Sequence, residues 1–142
     1  MIVKYHESTI VVRYAETDQM GIVYHANYLV WMEIGRTEFL ESIGLRYFDM
    51  EQEGYISPVL DVHLSYKQAM KYGQTAVVKT WIKSYDGFRV VYGYEIRQQD
   101  GEQLHITGET EHIAVRKDDF KPVSMRRTFP KWHEAYLKAM SR

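Results

Sequence analysis

The sequence has no cysteine, so disulfides, thiolate nucleophiles and cysteine-ligated metals are all excluded. A small secreted scaffold held together by disulfides is therefore ruled out. Long hydrophobic runs are missing too, and no segment approaches the roughly 18–20 apolar residues that span a bilayer. The opening Met1-Ile2-Val3-Lys4-Tyr5-His6-Glu7 has no basic region leading into an apolar run. The expected location is the cytoplasm, with no integral membrane segment. Excess charge of one sign is absent as well. With a net charge of -1 and no long Lys or Arg run, nothing forms a footprint for nucleic acid or an anionic membrane. The short pair Arg126-Arg127 reads as solvated surface.

Several catalytic plans are missing with them. No Gly-x-Ser-x-Gly elbow presents a serine, and no Gly-x-x-x-x-Gly-Lys-Ser/Thr or Gly-x-Gly-x-x-Gly loop cradles phosphates. The six histidines include no His-x-x-x-His or His-Glu-x-x-His spacing, so no metal site is expected. What is present is ordinary globular material, 45% hydrophobic and 26% charged, with 12 tyrosines that suit broad sheets. A chain of 142 residues most simply makes one domain, here 1–142, with a real core.

The patterning changes period along the chain. Thr9 to Arg13 is a β-branched strand, and residues 14–24 form a polar loop. From about Ala26, Tyr28, Trp31, Met32, Gly35, Phe39 and Ile43 recur at helical spacing, which predicts an amphipathic helix of about four turns. Gly44 suits its C′ position, and Gly35 within the apolar stripe would let the helix lie close against a sheet. Tyr47 to Glu53 reads as a short helical connector. Then come alternating strands: Leu60 to Lys67, Thr75 to Tyr85, Phe88 to Arg97 and Gln103 to Arg116. Asp86-Gly87 and Asp100-Gly101 supply turns between them. Pro130 to Met140 closes the chain as a helix. The order predicts an α+β domain in which a four-strand antiparallel meander, joined by the first strand, curls round the long helix.

Chemistry concentrates between Tyr14 and Gly44, where a strand hands over to a helix N-terminus with unpaired amides. Asp18 is the best-placed reactive group, although an Asx turn is its competing reading. Tyr14 and His25 bring further polar tips to the same loop, and a histidine there can also be purely structural. Asn27 suits a helix cap, and Glu33 with Arg36 suits an ion pair at i, i+3. A lone carboxylate helped by backbone donors fits hydrolysis of an activated acyl group such as a thioester.

The run Tyr14-x-Glu16-Thr17-Asp18-x-x-Gly21-x-Val23-Tyr24-His25-Ala26-Asn27-Tyr28-x-x-Trp31-x-Glu33-x-x-Arg36 resembles the signature of the hotdog-fold acyl-CoA thioesterases. It is closest to the 4-hydroxybenzoyl-CoA thioesterase family and its YbgC-like group. The resemblance implies a hotdog fold, a long central helix wrapped by a curved antiparallel sheet of about five strands. It also implies hydrolysis of short-chain or aromatic acyl-CoA to free acid and CoA, without metal or cofactor. Asp18 would attack the thioester carbonyl or activate a water, with His25 and Tyr14 positioning the reactants. Backbone amides around Tyr24 and His25 would polarise the carbonyl. Such domains form homodimers or homotetramers with the site at the subunit interface, to which Ser57-Pro58-Val59 of the partner would contribute. Lys83 and Arg89 are candidates for the CoA phosphates, with solvated strand-end charge as the alternative. A hydratase or dehydratase on acyl thioesters, or an acyl-CoA-binding scaffold without catalysis, are the rival functions. The acyl group, and CoA against acyl carrier protein, stay open.

Overall fold

The computed structural model describes residues 4–140. In chain order the elements are β1 (Tyr5–Val11), a single 3-10 turn (Tyr14–Glu16), α1 (Asn27–Ser42) and α2 (Tyr47–Gln52). The strands β2 (Tyr55–Ile56), β3 (Val59–Tyr66), β4 (Thr75–Tyr85), β5 (Arg89–Gln98), β6 (Leu104–Ile113) and β7 (Val115–Arg116) follow. The helices α3 (Met125–Thr128) and α4 (Pro130–Met140) end the chain. Five strands make one antiparallel sheet in the order β1-β4-β5-β6-β3, while β2 and β7 form a separate two-stranded ladder. Among the described residues no helix is long and apolar enough to cross a membrane.

Helix α1 buries Tyr28, Trp31, Met32, Gly35, Phe39 and Leu40, the stripe that the helical spacing predicts. Gly35 is the closest approach. A Cβ there would lie 2.7 Å from Thr80 Oγ1 and 3.0 Å from Val78 Cγ1, so only glycine lets α1 settle this near β4. At the other end Gly44 takes φ +86, and its amide donates to the Glu41 carbonyl at 3.0 Å, ending the helix as a C′ glycine does.

Two expectations need correction. Strand β1 starts at Tyr5 and pairs along its full length with β4, from Tyr5↔Trp81 to Val11↔Thr75. Its first residues are polar on one side because an edge strand needs only one apolar face. The second half is also no simple four-strand meander. Strands β4, β5 and β6 follow one another, but β3 pairs with β6 and β1 takes the free side of β4. Alternation fixes which side chains share a face, not which strand lies alongside. The link from Lys67 to Gln74 makes the crossing and is tied down under α1. There the Met70 amide donates to the Tyr28 hydroxyl at 3.0 Å, and the Val23 amide donates to the Met70 carbonyl at 2.9 Å.

The helix packs on β1 and β4. On the side of β3 that faces the helix layer Leu64 packs against the core, but Val62 and Tyr66 are exposed, as are Val30 and Ile34 of α1.

Candidate active site

The loop that leads from Tyr14 into α1 is held from within by Glu16, which is only 5% exposed. Its carboxylate accepts from the Arg13 amide at 2.8 Å, the Trp31 indole at 2.9 Å and the Arg13 guanidinium at 3.2 Å. Burial works to raise the Glu16 pKa. The Trp31 and Arg13 hydrogen bonds and the Arg13 charge outweigh it, and the net shift is downward. The Glu16 carbonyl accepts from the Tyr24 amide at 2.8 Å and from the Asn27 side-chain amide at 2.8 Å. Asn27 is thus the first residue of α1 rather than its cap, and it ties the helix start to the loop.

Asp18 sits at the turn of this loop, between the bridged residues Thr17 and Val23. Its amide donates to Ile22 at 2.9 Å and its carbonyl accepts from Gly21 at 3.0 Å. One carboxylate oxygen accepts from the Met20 amide at 2.8 Å, so the Asx turn is real. The other oxygen has no partner among the described residues. Asp18 and His25 line one cleft of about 280 Å³ together with Ile22, Tyr28, Tyr66 and Lys67. The Tyr66 hydroxyl donates to the His25 carbonyl at 3.2 Å, and the Tyr24 ring lies 4.4 Å from the His25 ring.

The other expected site residues lie elsewhere. Tyr14 is 76% exposed. Its ring meets Tyr72 edge-on at 5.6 Å, outside the cleft lining. It touches the loop through its carbonyl, which accepts from the Thr17 hydroxyl at 2.7 Å. The Tyr24 amide is already spent on Glu16, which leaves the His25 amide without an acceptor among the described residues. Val59 is exposed and opens β3 at the end opposite Tyr66. Seven residues of strand separate the two, ~23 Å at about 3.3 Å per residue. Lys83 pairs with Glu109, and the Arg89 guanidinium lies 3.8 Å from Glu111. Both lie on the sheet face turned away from α1, where Lys83 and Trp81 line a trough of about 590 Å³.

One further place was not legible in the sequence. A cavity of about 260 Å³ lies between α1, the sheet and α4, lined by Glu33, Arg36, Tyr47, Ser57, Tyr92 and His112 among others. Arg36 makes no ion pair with Glu33 within 4 Å among the described residues. It turns inward instead, and its guanidinium donates to the Tyr94 hydroxyl at 3.1 Å. Tyr94 bonds the Thr110 hydroxyl at 2.7 Å, and Thr110 bonds His112 Nε2 at 2.9 Å. Burial, then the Arg36 charge, pushes the His112 pKa down to about 4 against the opposing pull of the Ser57 carbonyl, so the ring is neutral near pH 7. Burial likewise raises Tyr92 and Tyr94 above the ordinary phenol value. Among the described residues no three His, Asp or Glu side chains gather as a metal site.

Comparison with known proteins places this geometry in a family. The model of the Thioesterase-like superfamily matches residues 12–133. YneP of Bacillus subtilis (strain 168), a protein carrying the name of an acyl-CoA thioesterase, is 59% identical over 128 residues, covering 90% of this chain and 92% of the relative. The crystal structure of a DHNA-CoA thioesterase from Staphylococcus aureus superposes with a TM-score of 0.91 at 47% identity, over 94% of this chain and 89% of that one. The 4-hydroxybenzoyl CoA thioesterase of Pseudomonas sp. strain CBS-3 shares the fold at 16% identity, with a TM-score of 0.81 over 92% of this chain and 98% of that one.

Proposed function

The chain belongs to the thioesterase-like superfamily, and on that premise we propose that it is a cytoplasmic acyl-CoA thioesterase acting as one domain over 1–142. It hydrolyses short-chain or aromatic acyl-CoA to the free acid and CoA. The Tyr14–Arg36 signature supports its finer placement in the YbgC-like group. The observation that carries the activity is the half-satisfied carboxylate of Asp18. Met20 fixes one oxygen, and the other is available in the cleft that His25 shares.

Two routes use that oxygen. It can attack the thioester carbonyl carbon and expel CoA thiolate, after which water cleaves the acyl-aspartyl anhydride. Alternatively it takes a proton from a water that makes the attack itself. In either route the His25 amide is the donor placed to meet the developing oxyanion, an interaction worth about 3 kcal/mol where such donors have been removed. His25 lines the cleft with the Tyr24 ring packed against it, and Tyr14 is a positioning residue that holds Thr17 beside Asp18.

The uncovered side of β3 supports a homodimer, or a homotetramer built from such dimers. Val62 and Tyr66 are exposed apolar residues on β3, which is a free edge strand, and Val30 and Ile34 are exposed on α1. A second copy adding its β3 antiparallel about a two-fold axis extends the sheet and covers both flanks. That operation sets the Tyr66 end of one β3 beside the Val59 end of the other. Each Asp18 cleft then faces Ser57 and Val59 of the partner. Arg89, at the Val59 end, and Lys83 further in stand on that partner for the CoA phosphates, exchanging their carboxylate contacts for them.

The test is the nearly isosteric Asp18→Asn variant in a thiol-release assay over a panel of acyl-CoAs. The expected result is a fall in kcat of roughly 10²–10⁴-fold with an unchanged thermal melt. Wild-type turnover in that variant would refute the mechanism.

A further inference from the structure

The Tyr28 hydroxyl takes no part in the roles above. We propose, resting on the thioesterase reading of Asp18, that this hydroxyl holds the attacking water in the Asp18 cleft, so that the carboxylate acts as general base and not as nucleophile.

An unspent proton carries the argument. Tyr28 stands in the first turn of α1 and is only 2% exposed. A phenol has one proton to give and lone pairs to receive. The Tyr28 oxygen accepts from the Met70 amide at 3.0 Å, and no protein atom among the described residues accepts its proton. Buried hydroxyls seldom leave a proton without an acceptor, and a held water is the usual partner. The fold leaves one place for it. The crossing that brings Met70 to the hydroxyl also lines the Asp18 cleft with Lys67, Gln68 and Ala69, and Tyr28 itself lines that cleft. The hydroxyl therefore stands at the cleft floor. The space there, about 280 Å³, is several times the ~30 Å³ share of one water. Burial raises the Tyr28 pKa against the pull of the Met70 amide, with Tyr66 and Asp18 adding to the rise, so the phenol keeps the proton it donates.

The second polar group is the free oxygen of Asp18, whose partner oxygen is held by Met20. A water between the two groups accepts from Tyr28 and donates to Asp18, which leaves one lone pair for the thioester carbonyl carbon. The same water occupies the Asp18 lone pair that a direct attack would need. In the chemical step the water oxygen bonds the acyl carbon while its proton moves to Asp18. The tetrahedral oxyanion then collapses, the C–S bond breaks, and the proton on Asp18 passes to the CoA thiolate. Free acid and CoA leave, and the carboxylate is regenerated.

Tyr28→Phe removes the hydroxyl and keeps the ring. In a thiol-release assay on the full-length protein, its kcat is expected to fall about 10–100-fold with KM within about twofold. Methanol added as a competing nucleophile gives a reading that a merely structural loss would not move. The ratio of methyl ester to free acid should rise several-fold over wild type, because the phenol no longer favours water. Tyr28→Phe also leaves the Met70 amide without its acceptor, so a lower melt is expected. A crystal structure of the unliganded wild type is free of that defect, and should show an ordered water about 3 Å from both the Tyr28 hydroxyl and the Asp18 carboxylate. A dry cleft floor, a protein acceptor for the Tyr28 proton, wild-type kcat in Tyr28→Phe or an unchanged ester-to-acid ratio would overturn the assignment. The Asp18→Asn control separates the two levels. If it is inactive while Tyr28→Phe turns over like the wild type, only the water site fails. If Asp18→Asn hydrolyses like the wild type, the general base is lost and the water site with it.

Discussion

Glu16 is the residue on which the loop is hung, although the carboxylate proposed to react is that of Asp18, two positions on. Its side chain holds Arg13 and Trp31, and its carbonyl holds Tyr24 and Asn27, so one residue joins β1, the Asp18 turn and α1. Replacing it by Gln keeps the shape but forces an amide N–H₂ against the Trp31 or Arg13 donors. The expected cost is about 1–3 kcal/mol at pH 7, measured by urea unfolding. The pH dependence follows from the direction of its shift. The folded-state pKa lies below the ordinary value of 4.5, so the carboxylate's contribution is complete above that value and is lost as pH falls through the folded pKa. The stability gap between wild type and Glu16→Gln should therefore narrow progressively as pH falls below 4.5. A gap that stays constant below pH 4.5 would show that the charge of Glu16 plays no part. Asp18 and His25 could be read from sequence because they share one short run with this anchor. Ser57 entered only through the family resemblance, and the inward turn of Arg36 and the placing of His112 beside it could not be read, since only tertiary pairing brings residues so far apart in the chain to one cavity.

At the scale of elements, the α1–β4 contact is set by a missing side chain. Alanine at position 35 would favour the helix by about 1 kcal/mol in isolation. Its Cβ, however, would fall 2.7 Å from Thr80 Oγ1 and 3.0 Å from Val78 Cγ1, both in the buried layer. Overpacking of this kind costs about 1–3 kcal/mol, so Gly35→Ala is expected to lower the melting temperature. Thr80→Ala in the same chain should recover part of the loss, because it removes the nearer clash and a buried hydroxyl that has no hydrogen-bond partner. Failure of that rescue would place the strain at Val78. The helix, its glycine approach and both Asp-Gly turns were legible because each is written in local spacing. Strand order was not. Nothing in Leu60 to Lys67 says that β3 joins β6, since that choice depends on the 67–74 crossing, which is anchored at Met70 by the Tyr28 hydroxyl and the Val23 amide. The polar start of β1 was missed for a related reason, that an edge strand shows only half of the usual pattern.

The whole molecule poses a question that one chain cannot answer alone. Asp18 lies at the Tyr66 end of β3, and Ser57, which lines the cavity, lies at the other end. If both belong to one reaction, the distance of ~23 Å along the strand must be bridged by a second subunit. That requirement separates a shared site from two independent ones through complementation. Asp18→Asn removes the carboxylate and leaves the start of β3, while Ser57→Trp crowds the start of β3 that the proposed pairing sets against the partner's cleft and leaves the carboxylate. Each variant alone should be inactive. Co-refolded in equal amounts, half of the dimers would be mixed, and each mixed dimer would carry one intact site and one doubly damaged site. The expected recovery is about a quarter of wild-type activity, with a thiol-release assay as readout and sedimentation to confirm dimers. Sites contained within single chains would recover nothing, because every chain in the mixture carries one lesion. A charged residue at Val62, on the open flank of β3, should then abolish complementation and dimer together. Dimer persisting in Val62→Lys would move the interface elsewhere and leave the Asp18 cleft without its second wall.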